Sequence, residues 1–218
     1  DAYVYMIKVD NPKNICKYKI IIANNIERNI SQLIGVDPKF AENVVNSSLQ
    51  QHTLSWLNNV KEFQREKTYL NSRFDFCGID KNGQEFILEV KNVPLADYVD
   101  MLDKDKKKLD LSDYEFNNKI AYFPDGYRKK IKDTISPRAL KHIQELQIIK
   151  KERNIRTILC FVIQREDVTS FQPSNIDPIY KTAVTEAYHD GVEIKAIQVN
   201  WKIDGSVTII NDNLQINI

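Results

Sequence analysis

The chain contains one segment that decides the fold, RFDFCGIDKNGQEFILEVKNV, at residues 73–93. Its two halves, Arg73–Ile79 and Glu85–Val93, are rich in the aromatic and branched apolar residues that strands favour. Between them, Asn82-Gly83 is the strongest short-range sequence signal for a β-hairpin turn. The segment therefore predicts two antiparallel strands joined by a tight turn.

Side chains along a strand alternate between its two faces, so the pattern assigns each residue to a face. It predicts Phe74 and Phe76 on one face of the first strand and Asp75 on the other. On the second strand it places Glu89 and Lys91 together, opposite the apolar residues that alternate with them. Paired strands lie about 4.8 Å apart, which brings Asp75 within a few ångström of Glu89.

Asp75, Glu89 and Lys91 form the set of side chains best suited to chemistry. Two neighbouring carboxylates repel each other unless a cation lies between them, and a hard divalent ion such as Mg²⁺ prefers oxygen ligands. Lys91 on the same face can orient or help to deprotonate a water, or offset charge at a phosphate. The set predicts a metal site that hydrolyses phosphodiesters, although the same pattern is typical of a solvated face of an antiparallel sheet.

The flanking sequence predicts a mixed α/β fold. Asp37-Pro38, Ser136-Pro137 and Asp177-Pro178 each combine a capping residue with a first-turn proline, and Gly191 closes the third helix. Thr157–Gln164 is an unbroken apolar run, as expected for a strand buried on both faces. The resulting order α, β, β, β, α, β, α, β predicts a mixed sheet with helices on both faces.

Two further regions lie outside this core. Tyr3–Lys8 and Lys17–Ile22 are predicted strands around a turn cluster at residues 10–13, and a short helical stretch is predicted to end at Gly35. Pro94–Asn118 is polar and rich in lysine and aspartate, which predicts a surface insertion.

Composition limits the class of protein. The 218 residues, 42% of them hydrophobic, allow a single large domain or a domain with a small companion. The longest apolar runs are too short to span a bilayer, and the first ten residues lack the features of a secretory signal. Three widely spaced cysteines favour a reducing compartment. We expect a soluble intracellular protein, cytoplasmic or nuclear, without a membrane partner.

The net charge of +1 hides an uneven distribution. Residues 128–156 contain ten basic and three acidic side chains, a charge of +7 that leaves −6 for the rest of the chain. A neutral protein with one concentrated basic block can present a face that binds polyanions such as nucleic acid. The same block is equally consistent with a solvated helix surface.

A series of short motifs is spread along nearly the whole chain. They are DNPK at 10–13, SRFDF at 72–76, EVKNV at 89–93, YFPD at 122–125, the pattern R-x-x-K-H-x-x-E-L from residue 138, and QR, FQP, IDPIY and GVE at 164–165, 171–173, 176–180 and 191–193. Each motif is ordinary alone, but their order and spacing are specific. In this arrangement the chain resembles the sugar fermentation stimulation protein (SfsA) family.

The resemblance implies a particular domain organisation. Members of the family join an OB-like N-terminal domain to a nuclease-type domain of the PD-(D/E)xK class. Residues 1–25 would be a remnant of the OB-like β domain, and residues 26–218 the nuclease-type domain with an insertion at about 94–118. Ala139 stands where the family has glycine in its helix motif, and Asp37-Pro38 replaces an Asn-Thr pair.

The resemblance also implies which residues act. Asp75 and Glu89, with the Val90 carbonyl, would bind Mg²⁺ or Mn²⁺, and Lys91 would serve the attacking water as the third catalytic residue. Together with the basic block, we predict contacts to nucleic acid from Arg73, Arg128, Lys129, Lys130, Arg138, Lys141 and His142. For His142, a partly buried surface position is an equal alternative.

The predicted function is a metal-dependent nuclease acting on DNA or RNA, with a non-catalytic DNA-binding regulator of the SfsA type as the alternative. A metabolic or scaffold protein is a third class. Lys91 favours the nuclease, because an unpaired lysine beside two carboxylates has no packing role and a decayed site would lose it early. The choice between DNA and RNA and the oligomeric state stay open.

Overall fold

The structure is a computed structural model that describes residues 3–11, 13–124, 126 and 133–218. Along these residues the elements are, in order, β1 (Tyr3–Lys8), β2 (Tyr18–Glu27), β3 (Ile30–Gly35), α1 (Pro38–Gln51), β4 (Val60–Tyr69), β5 (Ser72–Asp80), β6 (Glu85–Val93), β7 (Ala96–Asp97), α2 (Asp103–Lys106), β8 (Lys119–Phe123), α3 (Pro137–Glu152), β9 (Arg156–Ile163), β10 (Val168–Pro173), α4 (Pro178–His189), β11 (Glu193–Trp201) and β12 (Val207–Asn211). Within this described part of the chain, no helix is long and apolar enough to cross a membrane.

A six-stranded sheet with the order β12-β11-β9-β6-β5-β4 lies at the centre of the fold. Strands β6, β9 and β11 run parallel, whereas β4, β5 and β12 are antiparallel to their neighbours. The apolar side chains of α1 pack into a core on one face of the sheet, and those of α3 and α4 into a core on the other. The predicted mixed sheet with helices on both faces is confirmed.

The three long helices begin where the sequence predicts. The side chains of Asp37, Ser136 and Asp177 accept backbone N–H bonds in the first turns of α1, α3 and α4, and a proline follows each of them. Such a cap typically stabilises a helix by about 1 kcal/mol. The first turns of α1 and α3 both line one cleft beside β6.

The β5–β6 hairpin closes at the predicted turn, and β6 has the predicted faces. Gly83 adopts a φ of 84°, a conformation that residues with a Cβ rarely tolerate. Phe86, Leu88 and Val90 pack into the core beneath α1, while Ile87 packs into the core beneath α3. Glu89 and Lys91, which alternate with the first set, therefore belong to the α3 side.

Strand β5 departs from the predicted alternation. Phe74 packs into the core beneath α3 and Phe76 into the core beneath α1, so the prediction that they share a face is wrong. In the pairing with β4, Phe76 lies opposite Arg65 and Phe74 opposite Lys67. Glu66, between these two residues of β4, has a φ of 59°, which is uncommon for a residue with a side chain. The pairing with β6 stops at Phe76, and Asp75 lies just beyond it.

Residues between Tyr3 and Gly35 form a separate antiparallel sheet, β1-β2-β3. The helical stretch predicted to end at Gly35 is wrong, because this segment is strand β3. Arg28 and Asn29 have φ values of 52° and 62°, as a type I′ turn requires at both central residues, and this turn folds β3 back onto β2. The sheet therefore continues past residue 25, where the N-terminal remnant was predicted to end.

The segment 94–118 is tied to the fold at several points. Strand β7 pairs with β8 in a second three-stranded sheet, β10-β8-β7. The buried Asp100 carboxylate accepts hydrogen bonds from Gln172 Nε2 at 2.7 Å and Ser174 Oγ at 2.8 Å. Arg28 Nη2 donates to the carbonyl oxygen of Leu111 at 2.8 Å. The segment thus connects the N-terminal sheet to the region between β10 and α4.

Candidate metal centre

A cleft of about 590 Å³ opens between the first turns of α1 and α3. Asp75 from β5 lines it, together with Glu89, Val90 and Lys91 from β6 and Arg138 from α3. The structure therefore brings the predicted catalytic and metal-binding residues together, with one of the predicted phosphate contacts. The two helix N-termini add partial positive charge at the same place.

The backbone of the neighbouring strand positions the carboxylate of Asp75. Its Oδ2 accepts a hydrogen bond from the backbone N–H of Val90 at 2.8 Å. Burial and the negative charge of Glu89 raise the pKa of Asp75 from 3.8 to about 7. Both effects disfavour a second negative charge in the cleft, and a bound cation would offset them.

Glu89 is buried, and its two oxygens have different surroundings. Oε1 accepts hydrogen bonds from Lys91 Nζ and His142 Nδ1. Oε2 is buried and has no hydrogen-bond partner among the described residues. Burial acts to raise the pKa of Glu89, but Lys91 and His142 outweigh it and hold the pKa below its ordinary value. Glu89 is therefore ionised at neutral pH, with one oxygen free.

The free oxygen of Glu89 is the feature that fits a metal ion. A buried acceptor left without a partner costs about 1–3 kcal/mol, and more if charged. Across the described residues no cluster of three or more His, Cys, Asp or Glu side chains could hold a metal. The available donors are two carboxylates, backbone carbonyls and water, a set typical of Mg²⁺ sites, where the ion keeps several waters.

His142 lies inside the protein and not on the basic surface of α3. Its side chain is 6% exposed, and its ring centroid lies 5.7 Å from that of Phe74. This position of His142 does not match the predicted contact to phosphate. It does not match the alternative either, which was a partly buried position on the surface. The ring instead hydrogen-bonds the metal-site carboxylate Glu89.

The other predicted nucleic-acid contacts lie at different places. Arg138 lines the cleft, whereas Lys141, one turn later, donates through Nζ to the carbonyl oxygen of Asn71 at 2.6 Å. Arg73 is exposed, does not line the cleft, and lies 3.5 Å from Glu66 in an ion pair. The remaining three, Arg128, Lys129 and Lys130, fall outside the described residues.

Sequence reasoning did not identify Glu42, a further acidic residue of the cleft. It lies in the second turn of α1, and its Oε2 accepts from Lys39 Nζ at 2.7 Å and Arg65 Nη2 at 2.6 Å. Its charge contributes to the raised pKa of Asp75. The sequence offers only one signal for it, its position near the start of a helix that faces the hairpin.

Comparison with known proteins relates this site to a family. The family model described as "Sugar fermentation stimulation protein RE domain" matches residues 39–103 and 107–205. The sugar fermentation stimulation protein homolog of Clostridium tetani is 30% identical over 196 residues, covering 89% of this chain and 71% of that protein. The homolog of Magnetococcus marinus is 31% identical over 192 residues, covering 88% and 68%.

The fold has a counterpart among solved structures. The structure titled "The structure of Pyrococcus Furiosus SfsA in complex with Ca2+" superposes with a TM-score of 0.74 at 20% sequence identity, over 99% of this chain and 78% of that one. This likeness concerns the fold, while the family model and the relatives concern the sequence. Together they confirm the resemblance carried by the motifs, and the chain belongs to the sugar fermentation stimulation protein (SfsA) family.

Proposed function

We propose that the chain is a nuclease that uses Mg²⁺ or Mn²⁺ to hydrolyse phosphodiester bonds in nucleic acid. The observation that carries the proposal is Oε2 of Glu89, a buried carboxylate oxygen without a partner, in a cleft shared with the carboxylate of Asp75. The Pyrococcus furiosus relative is titled as a Ca²⁺ complex, and Ca²⁺ prefers oxygen ligands as Mg²⁺ does.

Each residue of the cleft has a definite role in this proposal. Asp75 and Glu89 hold the ion, with the Val90 carbonyl as a further oxygen donor. When bound, the ion supplies charge stabilisation at the phosphate and lowers the pKa of a water. Lys91, whose side chain is 11% exposed, orients that water or neutralises a phosphate oxygen beside Glu89. Arg138 contacts a flanking phosphate.

Nucleic acid fits the charge around the cleft. Arg138 is exposed in the first turn of α3, and the N–H groups that begin α1 and α3 favour phosphate groups.

The cysteines Cys16, Cys77 and Cys160 are free, in keeping with a reducing intracellular compartment.

The first test of the function is incubation of labelled single- and double-stranded DNA and RNA with Mg²⁺, Mn²⁺ or EDTA. We expect cleavage of at least one substrate with a divalent ion and none with EDTA. Binding of DNA without cleavage under every metal condition would support the regulator instead. Neither binding nor cleavage of any of the four substrates would contradict both.

We expect metal binding to weaken as the pH falls below about 7. A carboxylate ligand must lose its proton to bind the ion, and the pKa of Asp75 is raised to about 7. Well below that pH, the affinity for Mn²⁺ should fall about tenfold per pH unit, with uptake of metal releasing protons. Calorimetric titration between pH 5.5 and 8 measures both quantities, and an unchanged affinity across this range contradicts the prediction.

The same pKa has a consequence for stability without metal. Because the folded-state pKa of Asp75 lies above its unfolded value of 3.8, the folded state binds the proton more tightly. The contribution of Asp75 to the free energy of unfolding should therefore increase as pH falls from about 7 towards 3.8. Comparing the free energy of unfolding of the wild type with that of Asp75→Asn across this pH range isolates the contribution of Asp75.

Replacing Arg138 and Lys141 together by alanine should make binding less sensitive to salt. Each duplex phosphate neutralised by the protein contributes about −0.9 to the slope of log affinity against log salt. If both residues contact phosphate, the slope measured in EDTA becomes shallower by roughly one to two units. The matched control is the double change Lys150→Ala and Lys151→Ala at the other end of α3, which should leave the slope unchanged. An unaltered slope in the Arg138 and Lys141 double variant would show that these two side chains are solvated and do not contact phosphate.

A further inference from the structure

Glu89 connects the cleft to the buried face of α3. One of its oxygens, Oε1, accepts hydrogen bonds from two side chains, Lys91 of β6 and His142 of α3. We propose that His142 is a positioning residue of the metal centre, whose Nδ1–H holds Oε1 of Glu89 so that Oε2 faces the ion. The inference rests on the proposed function, because it assumes that Glu89 is a metal ligand.

The chemistry of the contact fixes the roles of donor and acceptor. An ionised carboxylate only accepts hydrogen bonds, so the proton between the two groups belongs to Nδ1 of His142. The bond is buried at both ends, since the side chains of His142 and Glu89 are 6% and 4% exposed. In these surroundings water does not compete for the bond, and it is stronger than a surface contact.

Lys91 alone is a poor anchor for this carboxylate. It lies two residues away on the same strand, and its long side chain has several rotatable bonds. The imidazole is rigid, comes from a helix packed against the sheet, and contacts the ring of Phe74. Two donors on Oε1 restrict rotation of the carboxylate, which keeps Oε2 as the oxygen without a protein partner. His142 thus acts through Glu89 and does not contact the ion or the nucleic acid.

The sharpest test is a pair of variants of nearly equal shape, His142→Asn and His142→Leu. The amide nitrogen of asparagine occupies about the position of Nδ1 and can donate to Glu89, whereas leucine cannot. Partners that orient a metal ligand typically change metal affinity by about 10–100-fold when removed. We expect His142→Leu to weaken Mn²⁺ binding by about this factor, read as free Mn²⁺ by electron paramagnetic resonance, and His142→Asn to recover most of the loss.

A control separates positioning from general damage to the helix. Ile149→Val removes one methylene from the same buried face of α3 without touching Glu89, and should leave Mn²⁺ affinity unchanged. DNA binding in EDTA should be the same in both His142 variants and wild type, because His142 does not face the nucleic acid. Wild-type Mn²⁺ affinity in a folded His142→Leu variant overturns the inference while leaving the metal site intact.

A second measurement needs only the wild-type chain, in case His142→Leu does not fold. The sequence has three histidines, so their ring nitrogens can be assigned by NMR. On addition of Mg²⁺, the Nδ1–H signal of His142 should persist, because the bond to Glu89 remains. Loss of this signal would mean that the ring releases Glu89, which overturns the inference. A wild-type chain that binds no divalent ion removes the proposed function itself, a result distinct from either.

Discussion

Asp75→Asn, Glu89→Gln and Lys91→Ala should each reduce metal-dependent hydrolysis by about 10²–10³-fold or more, the scale seen when one preorganised group is removed from an active site. The first two remove the charge of the two proposed metal ligands in the cleft. The third removes the only lysine that lines the cleft among the described residues. Single-turnover cleavage of labelled nucleic acid at saturating protein measures the chemical step without the contribution of binding.

The three variants should differ in metal uptake, which gives the prediction a second observable. Asp75→Asn and Glu89→Gln should lose Mn²⁺ binding as well as hydrolysis. Lys91→Ala leaves Glu89 bonded to His142 and should therefore retain part of the Mn²⁺ binding. Asp204→Asn and Lys202→Ala, in the exposed β11–β12 turn, are controls with wild-type rates expected. Cleavage that persists in EDTA, or full activity in all three variants, would remove the metal site from the mechanism.

The central hairpin is the part of the fold that the sequence predicts best. Its turn and both faces of β6 follow from local chemistry, because the Asn-Gly pair fixes the turn and burial fixes the alternation. The faces of β5 could not be predicted from alternation, because Phe74 and Phe76 pack into different cores although only one residue separates them.

Apart from the two-residue strand β7, three strands have no sequence signal strong enough to identify them. β3 depends on a type I′ turn formed by Arg28-Asn29, without the glycine that usually indicates one. β4 is an edge strand whose side chains are mostly exposed and polar, so it lacks an apolar face. β10 is buried but carries Ser170 and Gln172, whose polar groups are paired only after Asp100 and Asn217 fold against them.

The carboxylates and lysine of the site were predictable, whereas the partner of Glu89 was not. Asp75, Glu89 and Lys91 come from two strands joined by a short turn, so alternation and strand spacing bring them near one another. His142 lies 53 residues beyond Glu89 on a different element. The apolar stripe of α3 gives no sign that His142 and Glu145 share its buried face. Only the docking of α3 onto the sheet reveals the contact.

The contacts of a second buried cluster, an ion-pair cluster outside the metal centre, likewise form only when separate elements pack together. The Asp167 side chain is fully buried and accepts hydrogen bonds from Arg165 Nε at 2.5 Å and Nη2 at 2.6 Å, and from Lys119 Nζ at 2.8 Å. Lys119 also lies 3.1 Å from Glu27 of β2. The cluster therefore joins the N-terminal sheet to the strands of the central fold. Burial acts to raise the pKa of Asp167, but Arg165 and Lys119 outweigh it and lower the pKa, so the group is ionised at neutral pH.

Asp167→Ala should destabilise the protein by about 3–5 kcal/mol, because it leaves two buried cations without their shared partner. For a chain of this size, that corresponds to a fall in melting temperature of roughly 6–20 °C, at about 2–4 °C per kcal/mol. The control is Asp105→Ala, which breaks an exposed 2.9 Å pair with Lys108 and should cost less than about 1 kcal/mol. Since the folded pKa of Asp167 is lowered, its contribution is present above the unfolded value of 3.8 and is lost as pH falls through the folded pKa. Thermal unfolding of both variants at neutral pH measures this difference. Equal melting temperatures for Asp167→Ala and Asp105→Ala would show that the cluster is not a determinant of stability.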